Sequence, residues 1–370
     1  MTWREWAEAQ AADIRTAGRW RAPRDLDAAG PHGTITATGQ RVVSYASNDY
    51  LGLTQHPAVI AAAHAALDRW GAGSGAARLI VGSRPVHTEL EAAIAEWKGA
   101  DHAVLFPTGF AANLGVFEAL ASRDAFICSD ELNHASIIDG TRLSRSETAI
   151  FPHRDLAALD AMLRTAGDRR AVVASDTVFS MDGDLADVDG LREVCARHGA
   201  LLVLDEAHAV LGPDIDAGDD DILRVGTLSK TLGALGGFVA GPSRYTDLIV
   251  NRARSYIFTT ASSPADSAAA LAAIAVLRSD EGDALRARLR ANVDTLRPGH
   301  PSPIIPIICG EERAALDAAA ALLEQGMLVP AIRPPTVAPG TSRLRIALSA
   351  AHTPDEVATL GAALAKLGYA

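Results

Sequence analysis

An aspartate and a lysine, 25 residues apart, each follow a short apolar segment of the chain. Asp205 ends the segment Leu201–Leu204, and Lys230 comes just after Leu223–Thr227. If both segments are strands of a parallel sheet, the two side chains lie at its C-terminal edge, where open α/β sheets bind ligands. Alone, the aspartate could equally cap a helix and the lysine could be solvated. Together they suit pyridoxal 5′-phosphate (PLP), which needs an amine for a Schiff base and a carboxylate that keeps its pyridine nitrogen protonated.

Groups suited to the rest of that cofactor follow the neighbouring strand candidates. Gly109 and Phe110 begin a helix, whose backbone N–H groups could bind a phosphate dianion. His134 follows the next strand candidate and could stack on the ring, although a histidine there more often caps a helix. Ser180 lies in a turn after a third candidate, and Thr227 ends the strand before the lysine. The combination predicts a PLP site that no single residue establishes.

Short apolar segments alternate with helical patterns between residues 47 and 270, which predicts an α/β fold with a mostly parallel sheet covered on both faces. The strand candidates are Ala103–Phe106, Ala125–Cys128, Ala171–Ser175, Leu201–Asp205, Leu223–Thr227 and Gly237–Ala240.

Three regions follow from this pattern. Residues 1–46 are predicted to form an N-terminal arm, a helix of about 25 residues and a hairpin that packs with the small domain. Residues 47–270 would form the large PLP-binding domain. Residues 271–370 read as a smaller α+β domain, and its last helix begins at Thr353-Pro354-Asp355-Glu356, a sequence suited to helix capping.

Composition and missing motifs argue against several other classes. The 370 residues carry a formal charge of −11, whereas nucleic-acid binding favours a basic surface. The apolar runs are shorter than a membrane span requires, and the P-loop, GxGxxG and HExxH patterns are missing. Cys128, Cys195 and Cys309 form no CxxC pair or ligand cluster, which predicts free thiols, no metal site and a cytoplasmic location.

The groups at the strand ends lie within longer blocks that resemble the α-oxoamine synthases, PLP-dependent enzymes of the type I, or aspartate-aminotransferase, fold. The resemblance runs nearly from end to end and implies a large domain with a helix-covered, mostly parallel sheet plus a smaller α+β domain. The blocks are Ser47-Asn48-Asp49-Tyr50-Leu51-Gly52-Leu53, Gly73-Ser74-Gly75-Ala76-Ala77-Arg78, Thr108-Gly109-Phe110, Asn133-His134-Ala135-Ser136, Val178–Asp184, Asp205–His208, Thr227–Lys230, Arg333-Pro334-Pro335-Thr336 and Gly340-Thr341-Ser342-Arg343-Leu344-Arg345.

The resemblance implies a role for each cofactor-binding residue. Lys230 would carry the Schiff base, and Asp205 would face the pyridine nitrogen. His208 would hydrogen-bond the 3′-oxygen of the ring. His134 would stack on the ring and also meet the oxyanion that develops on the substrate. The implied phosphate contacts are Gly109, Phe110, Ser180 and Thr227.

Substrate contacts are implied in the same way. Arg333 would hold the carboxylate of the amino acid, which suits its planar fork of donors. Thr336 and an N-terminal arginine, Arg19 or its alternative Arg21, would contact the acyl substrate. Asn48 would lie near the catalytic lysine.

The resemblance is strongest to the branch that condenses L-alanine with a pimeloyl thioester, of coenzyme A or of a carrier protein, in biotin biosynthesis. That reaction releases CO2 and a free thiol. The sister activities glycine C-acetyltransferase, 5-aminolevulinate synthase and serine palmitoyltransferase stay open. A further alternative of a different class stays open, a non-catalytic protein that binds a phosphate or nucleotide. Such a protein would need no lysine–aspartate pair. The resemblance also implies a homodimer in which Tyr256–Thr260 reach the partner's phosphate.

Overall fold

A computed structural model describes residues 1–213, 215 and 221–369. The strands are β1 (Leu26–Ala29), β2 (His32–Ile35), β3 (Gln40–Ser44), β4 (His102–Phe106), β5 (Ala125–Asp130), β6 (Glu147–Phe151), β7 (Arg170–Asp176), β8 (Leu201–Asp205), β9 (Ile222–Thr227), β10 (Gly237–Gly241), β11 (Ile304–Gly310), β12 (Met327–Leu328), β13 (Ala331–Ile332) and β14 (Ser342–Ala347). The α-helices are α1 (Trp3–Thr16), α2 (Pro57–Trp70), α3 (Pro85–Lys98), α4 (Gly109–Leu120), α5 (Ala135–Ser144), α6 (Leu156–Arg164), α7 (Val188–His198), α8 (Ser243–Arg252), α9 (Arg254–Ile257), α10 (Pro264–Leu277), α11 (Asp280–Leu296), α12 (Glu312–Glu324) and α13 (Pro354–Lys366).

The central sheet positions the functional groups. Its strands run in the order β4-β10-β9-β8-β7-β5-β6, and only β10 pairs antiparallel with its neighbours. Every residue of β5 and β8 is buried, as expected for strands covered by helices on both faces. The predicted α/β fold with a mostly parallel sheet is therefore confirmed. Strand β6 was not predicted, because this edge strand is mostly exposed and lacks an apolar run.

Two smaller sheets link the ends of the chain. Strands β1, β2 and β3 form an antiparallel meander, and β12 from the C-terminal third adds to β3 in parallel. Strands β11, β14 and β13 form an antiparallel sheet. The division into 1–46, 47–270 and 271–370 stays a prediction. Because α10 spans residues 270 and 271, we propose that the second boundary lies after Leu277.

The terminal helices show how local signals act. Helix α13 begins with the predicted capping box, in which Thr353 Oγ1 accepts from the Glu356 amide and Glu356 accepts from the Thr353 amide. Helix α1 is shorter than the predicted 25 residues, since the chain leaves it before Gly18, which has a φ of 66°. Among the described residues, no helix is long and apolar enough to cross a membrane.

Candidate active site

Seven of the twelve predicted site residues line one cavity of about 220 Å3 at the C-terminal edge of the central sheet. The N-termini of α4 and α5 open onto the same cavity. This convergence follows from topology, because successive parallel strands deliver their last residues to one edge. The seven are Gly109, Phe110, His134, Asp205, His208, Thr227 and Lys230.

Asp205 is held as a hydrogen-bond acceptor. Its Oδ2 accepts from Asn113 Nδ2 at 2.7 Å, and its Oδ1 accepts from the Ala207 amide at 2.9 Å. Its backbone carbonyl accepts from the amide and hydroxyl of Thr177. These two donors fix the orientation of the carboxyl group, which suits a group that would face a ring nitrogen.

Lys230 follows β9 and is half-buried. Burial lowers the pKa of its amine, and the nearby carboxyl groups, Asp205 before Asp176, oppose that shift. Its Nζ makes no hydrogen bond or ion pair with the described part of the chain, so the amine is available to a ligand. A desolvated lysine beside a carboxylate is a suitable nucleophile and base.

His134 is fixed in one tautomer by its position as the N-cap of α5. Its Nδ1 lies 2.8 Å from Ser136 Oγ and also accepts from the Ser136 amide at 3.3 Å. Because an amide can only donate, Nδ1 carries no proton, and the hydrogen of the neutral ring lies on Nε2. Burial lowers the pKa of His134, which keeps the ring neutral near pH 7. The histidine can therefore donate a hydrogen bond from Nε2.

The start of α4 fits the phosphate of PLP. Thr108 caps the helix by accepting from the Ala111 amide, which leaves the Gly109 and Phe110 amides for an anion. A Cβ on Gly237 would come within 2.4 Å of the Gly109 nitrogen, so a larger residue there would block this packing. Thr227 Oγ1 lies 2.8 Å from Ser229 Oγ, which adds hydroxyls to the same cavity. Because Asp205, Lys230 and these phosphate donors all line one cavity, the side chains fit PLP.

A hydrogen-bonded chain connects His208 to the strand β14. Tyr50 Oη lies 2.6 Å from His208 Nδ1 and donates to Asn48 Oδ1 at 3.1 Å. Arg345 Nη2 donates to the same Asn48 oxygen at 3.2 Å, and its Nε donates to the Ser180 carbonyl at 2.5 Å. Tyr50 thus occupies Nδ1 and leaves His208 Nε2 for a ligand. Burial, together with the charges of Lys230 and Arg345, lowers the pKa of His208 well below its usual value.

The other predicted residues lie outside the cavity lining. Asn48 is connected to it through Tyr50 and His208, and the Ser180 carbonyl is connected through Arg345 and Asn48. Arg333 donates to the Gly18 carbonyl at 2.9 Å, and Arg19 pairs with Glu312 at 2.6 Å. Thr336 is exposed. The roles predicted for all twelve residues, inside and outside the cavity lining, stay proposals.

A partly buried ion-pair cluster secures the turn that carries Ser180. His153 Nδ1 lies 3.0 Å from Asp130, and its Nε2 lies 2.8 Å from Asp184, at the end of the turn. Burial alone would lower the pKa of His153, but the hydrogen bonds to Asp130 and Asp184 raise it to about 9. The imidazolium therefore joins three segments around the site.

This cluster predicts a pH-dependent contribution to stability. The folded-state pKa of His153 lies above the unfolded value of about 6.5, so its contribution is full below that pH and is lost as the pH rises through about 9. We expect His153→Gln to lower the free energy of unfolding by about 2 kcal/mol at pH 6, with the difference vanishing near pH 10. Urea unfolding of both proteins between about pH 6 and pH 10 measures this difference in the free energy of unfolding. The exposed His64 on α2 supplies the control His64→Gln, which should have no effect, and a pH-independent loss for His153→Gln would contradict the prediction.

Sequence reasoning missed several side chains at the site. Asn113, Asp176 and Ser229 lie at the cavity or bind its residues, and Tyr50 and Arg345 form the chain to His208. Tyr50 and Arg345 lie within the sequence blocks that resemble the α-oxoamine synthases, and that position was the signal by which they could have been found. Asn113 had no such signal, because its place follows from how α4 packs over the central sheet, which brings its Nδ2 to Asp205.

The chain is similar in sequence and fold to proteins of known name. The profile of the aminotransferase class I and II family matches residues 40–364. An 8-amino-7-oxononanoate synthase of Anaeromyxobacter dehalogenans (strain 2CP-1) is 48% identical over 363 residues, covering 92% of this chain and 91% of the relative. One from Burkholderia mallei (strain SAVP1) is 46% identical over 377 residues, covering 95% of each chain. A solved serine palmitoyltransferase with PLP has a TM-score of 0.92 and 28% identity over 100% of both chains.

Proposed function

The chain belongs to the class I and II aminotransferase family and, within it, to the 8-amino-7-oxononanoate synthases, and from that premise we propose that it condenses L-alanine with a pimeloyl thioester. The products would be 8-amino-7-oxononanoate, CO2 and the free thiol. The observation that carries this proposal is one cavity that combines three groups: the Lys230 amine, which has no partner among the described residues, the anchored Asp205 carboxyl group and the helix N-terminus at Gly109.

PLP is the cofactor of this enzyme group, and when bound it accepts the electron pair that remains on the alanine Cα after proton removal. Lys230 Nζ is the base that takes this proton, because burial lowers its pKa and no group among the described residues binds it. The donors Asn113 and Ala207 hold the Asp205 carboxyl group in place toward the ring nitrogen. His134 Nε2 donates to the thioester oxygen as it gains negative charge.

The alanine carboxylate requires a cation near Lys230, and the structure supports Arg345 for this role. Arg345 is buried and lowers the pKa values of both His208 and Lys230, so its charge acts directly at the site. Its Nη1 makes no hydrogen bond within the described residues and can still receive a carboxylate. Arg333 already binds the Gly18 carbonyl and lies 3.9 Å from Glu312.

The acyl chain has a candidate binding groove beside Arg333. A groove of about 820 Å3 lies between the N-terminal arm and α12, and Trp20, Arg21 and Arg333 contribute to its walls. We propose that the far carboxylate of a pimeloyl chain binds there. Arg21 suits that carboxylate better than Arg19, because Arg19 is paired with Glu312.

We also propose a homodimer and a cytoplasmic location. Exposed apolar side chains lie on two neighbouring segments, Ile80 and Val81 beside Phe258, joined by the hydrogen bond from the Ala261 amide to the Ala76 carbonyl. Such a patch suits an interface between copies of the chain. The free cysteines suit a reducing compartment.

Parallel turnover assays test the substrate proposal. We expect L-alanine with pimeloyl-CoA or a pimeloyl carrier protein to exceed every combination of alanine or glycine with acetyl-, succinyl- or palmitoyl-CoA by about 100-fold in kcat/KM, since those donors differ in chain length or lack the far carboxylate. Arg21→Ala should raise the KM for the pimeloyl donor, and Arg24→Ala, on the same groove wall, serves as the matched control. Higher turnover with glycine and acetyl-CoA would contradict the proposal.

A further inference from the structure

A second carboxyl group lies beside Asp205 at the end of the adjacent strand. Asp176 ends β7 and Asp205 ends β8, and the two residues are register partners in the parallel ladder. Side chains in register on neighbouring parallel strands lie on the same face of the sheet. Both line the cavity, and they are only 3% and 8% exposed, respectively.

The two carboxyl groups differ in their hydrogen bonds. Each oxygen of Asp205 accepts from a donor, Asn113 Nδ2 or the Ala207 amide. Asp176 Oδ1 is buried without a partner in the described part of the chain, and the same is true of Asn113 Oδ1. The second hydrogen of the Asn113 amide goes to Ser136 Oγ. This region therefore has more acceptors than donors, a deficit that one additional proton would reduce.

The surrounding charges cannot stabilise two carboxylates. Three side chains face Asp176, namely Asp130 from β5, Asp205 from β8 and Lys230 after β9, and the backbone amide of His134 donates to its carboxyl group, which partly opposes the rise of its pKa. His134 is neutral, and Asp130 is itself an anion paired elsewhere. Lys230 is the single cation of the set. Burial and the charge of Asp205 raise the pKa of Asp176 well above its usual value.

We propose that Asp176 and Asp205 hold one proton between them in the working enzyme and that this proton resides on Asp176, which leaves Asp205 as the only anion toward the cofactor. Like charges on adjacent carboxyl groups cannot both persist in a buried site. Asp176 is a positioning residue in this arrangement. A neutral Asp176 limits the negative charge that would hold Lys230 as an ammonium, so the amine can act as a base. The role of Asp205 toward the ring rests on the proposed function, whereas the proton on Asp176 does not.

The near-isosteric variant Asp176→Asn tests the proton directly. If folded Asp176 is protonated, wild-type folding requires proton uptake above the unfolded pKa of about 4, and stability falls as the pH rises. The variant needs no such uptake. We therefore expect the ratio of the unfolding constants, wild type to variant, to grow by about tenfold per pH unit between about pH 5.5 and 8 in the holoenzyme. A ratio that is constant or falls with pH would overturn the proposal.

The matched control is Asp124→Asn. Asp124 is an exposed aspartate beside Arg170, with hydrogen bonds from Ser122 and Arg170 that lower its pKa to about 2. Asp124 is therefore ionised throughout the range from about pH 5.5 to 8, and the ratio of the unfolding constants of wild type and Asp124→Asn should not change with pH. The visible absorbance of bound PLP, recorded in the same samples, reports on the proposed function separately. Normal absorbance with a flat stability ratio for Asp176→Asn would reject only the proposal about Asp176.

Infrared spectroscopy covers the case in which Asp176→Asn folds poorly. The wild-type holoenzyme at neutral pH should show the C=O stretch of a protonated carboxyl, identified by its shift in D2O. Asp176→Glu keeps a carboxyl at the site and should keep a protonated-carboxyl band, whereas Asp176→Asn and Asp176→Ser should lose the wild-type band. If the wild-type and Asp176→Asn spectra do not differ in this protonated-carboxyl band, Asp176 is ionised and the proposal is contradicted.

Discussion

Replacing Lys230 by alanine is expected to lower kcat by about 10⁴-fold or more and to remove the visible absorbance of the bound cofactor. Lys230 Nζ is the amine in the cavity beside Asp205, and its loss removes both the covalent attachment and the base. Because this amine makes no hydrogen bond within the described residues, the substitution should leave the melting temperature within a few degrees. Absorbance spectra and single-turnover assays measure the two effects.

Two further variants separate chemistry from charge. Lys230→Arg keeps a cation beside Asp205 but cannot form a Schiff base at neutral pH, so it should be as inactive as the alanine variant. Lys366→Ala removes an exposed lysine on α13 and should leave turnover unchanged. If Lys230→Ala keeps the absorbance band or more than about one hundredth of the turnover, another residue holds the cofactor.

Replacing Arg345 by lysine is expected to lower kcat/KM for L-alanine by about 100-fold. The variant keeps a positive charge but loses the planar fork that binds a carboxylate through two hydrogen bonds. A loss of about 3 kcal/mol is typical when one partner of a buried charged pair is removed. Initial rates at varied alanine concentration measure the effect, and PLP affinity should change little.

Arg333→Lys is the matched comparison, since the sequence resemblance assigns the alanine carboxylate to Arg333. The structure places Arg333 in the groove with Trp20 and Arg21, so its substitution should instead raise the KM of the pimeloyl donor. A large rise in the alanine KM for Arg333→Lys, with none for Arg345→Lys, would reverse the two assignments.

The groups at the strand ends were predictable from sequence because topology alone brings them together. Asp205, Lys230, His134 and Gly109 each follow an apolar strand, and parallel strands deliver such positions to one edge. The strands themselves were recognisable because burial on both faces requires continuous apolar runs. Edge strand β6 lacks such a run and was missed.

Contacts between distant segments were not predictable from local patterns. Arg345 reaches Asn48 and the Ser180 carbonyl across 297 and 165 residues of chain, and no periodicity reports such a pairing. Asp176 lies one residue beyond the predicted strand Ala171–Ser175 and was not singled out, because its role depends on its register with Asp205. The sequence does not decide whether Arg19 or Arg21 is the N-terminal arginine that contacts the acyl substrate. The ion pair with Glu312 distinguishes Arg19 from Arg21.

Reduction of the purified holoenzyme with borohydride, followed by peptide mass spectrometry, tests the central claim most directly. The chain contains only three lysines, Lys98, Lys230 and Lys366, so the mapping has few alternatives. Lys98 is paired with Glu206 at 2.5 Å, and Lys366 is exposed on α13. We predict that the reduced cofactor is attached to the peptide containing Lys230. Attachment to Lys98 or Lys366, or a colourless protein without an adduct, would contradict the account.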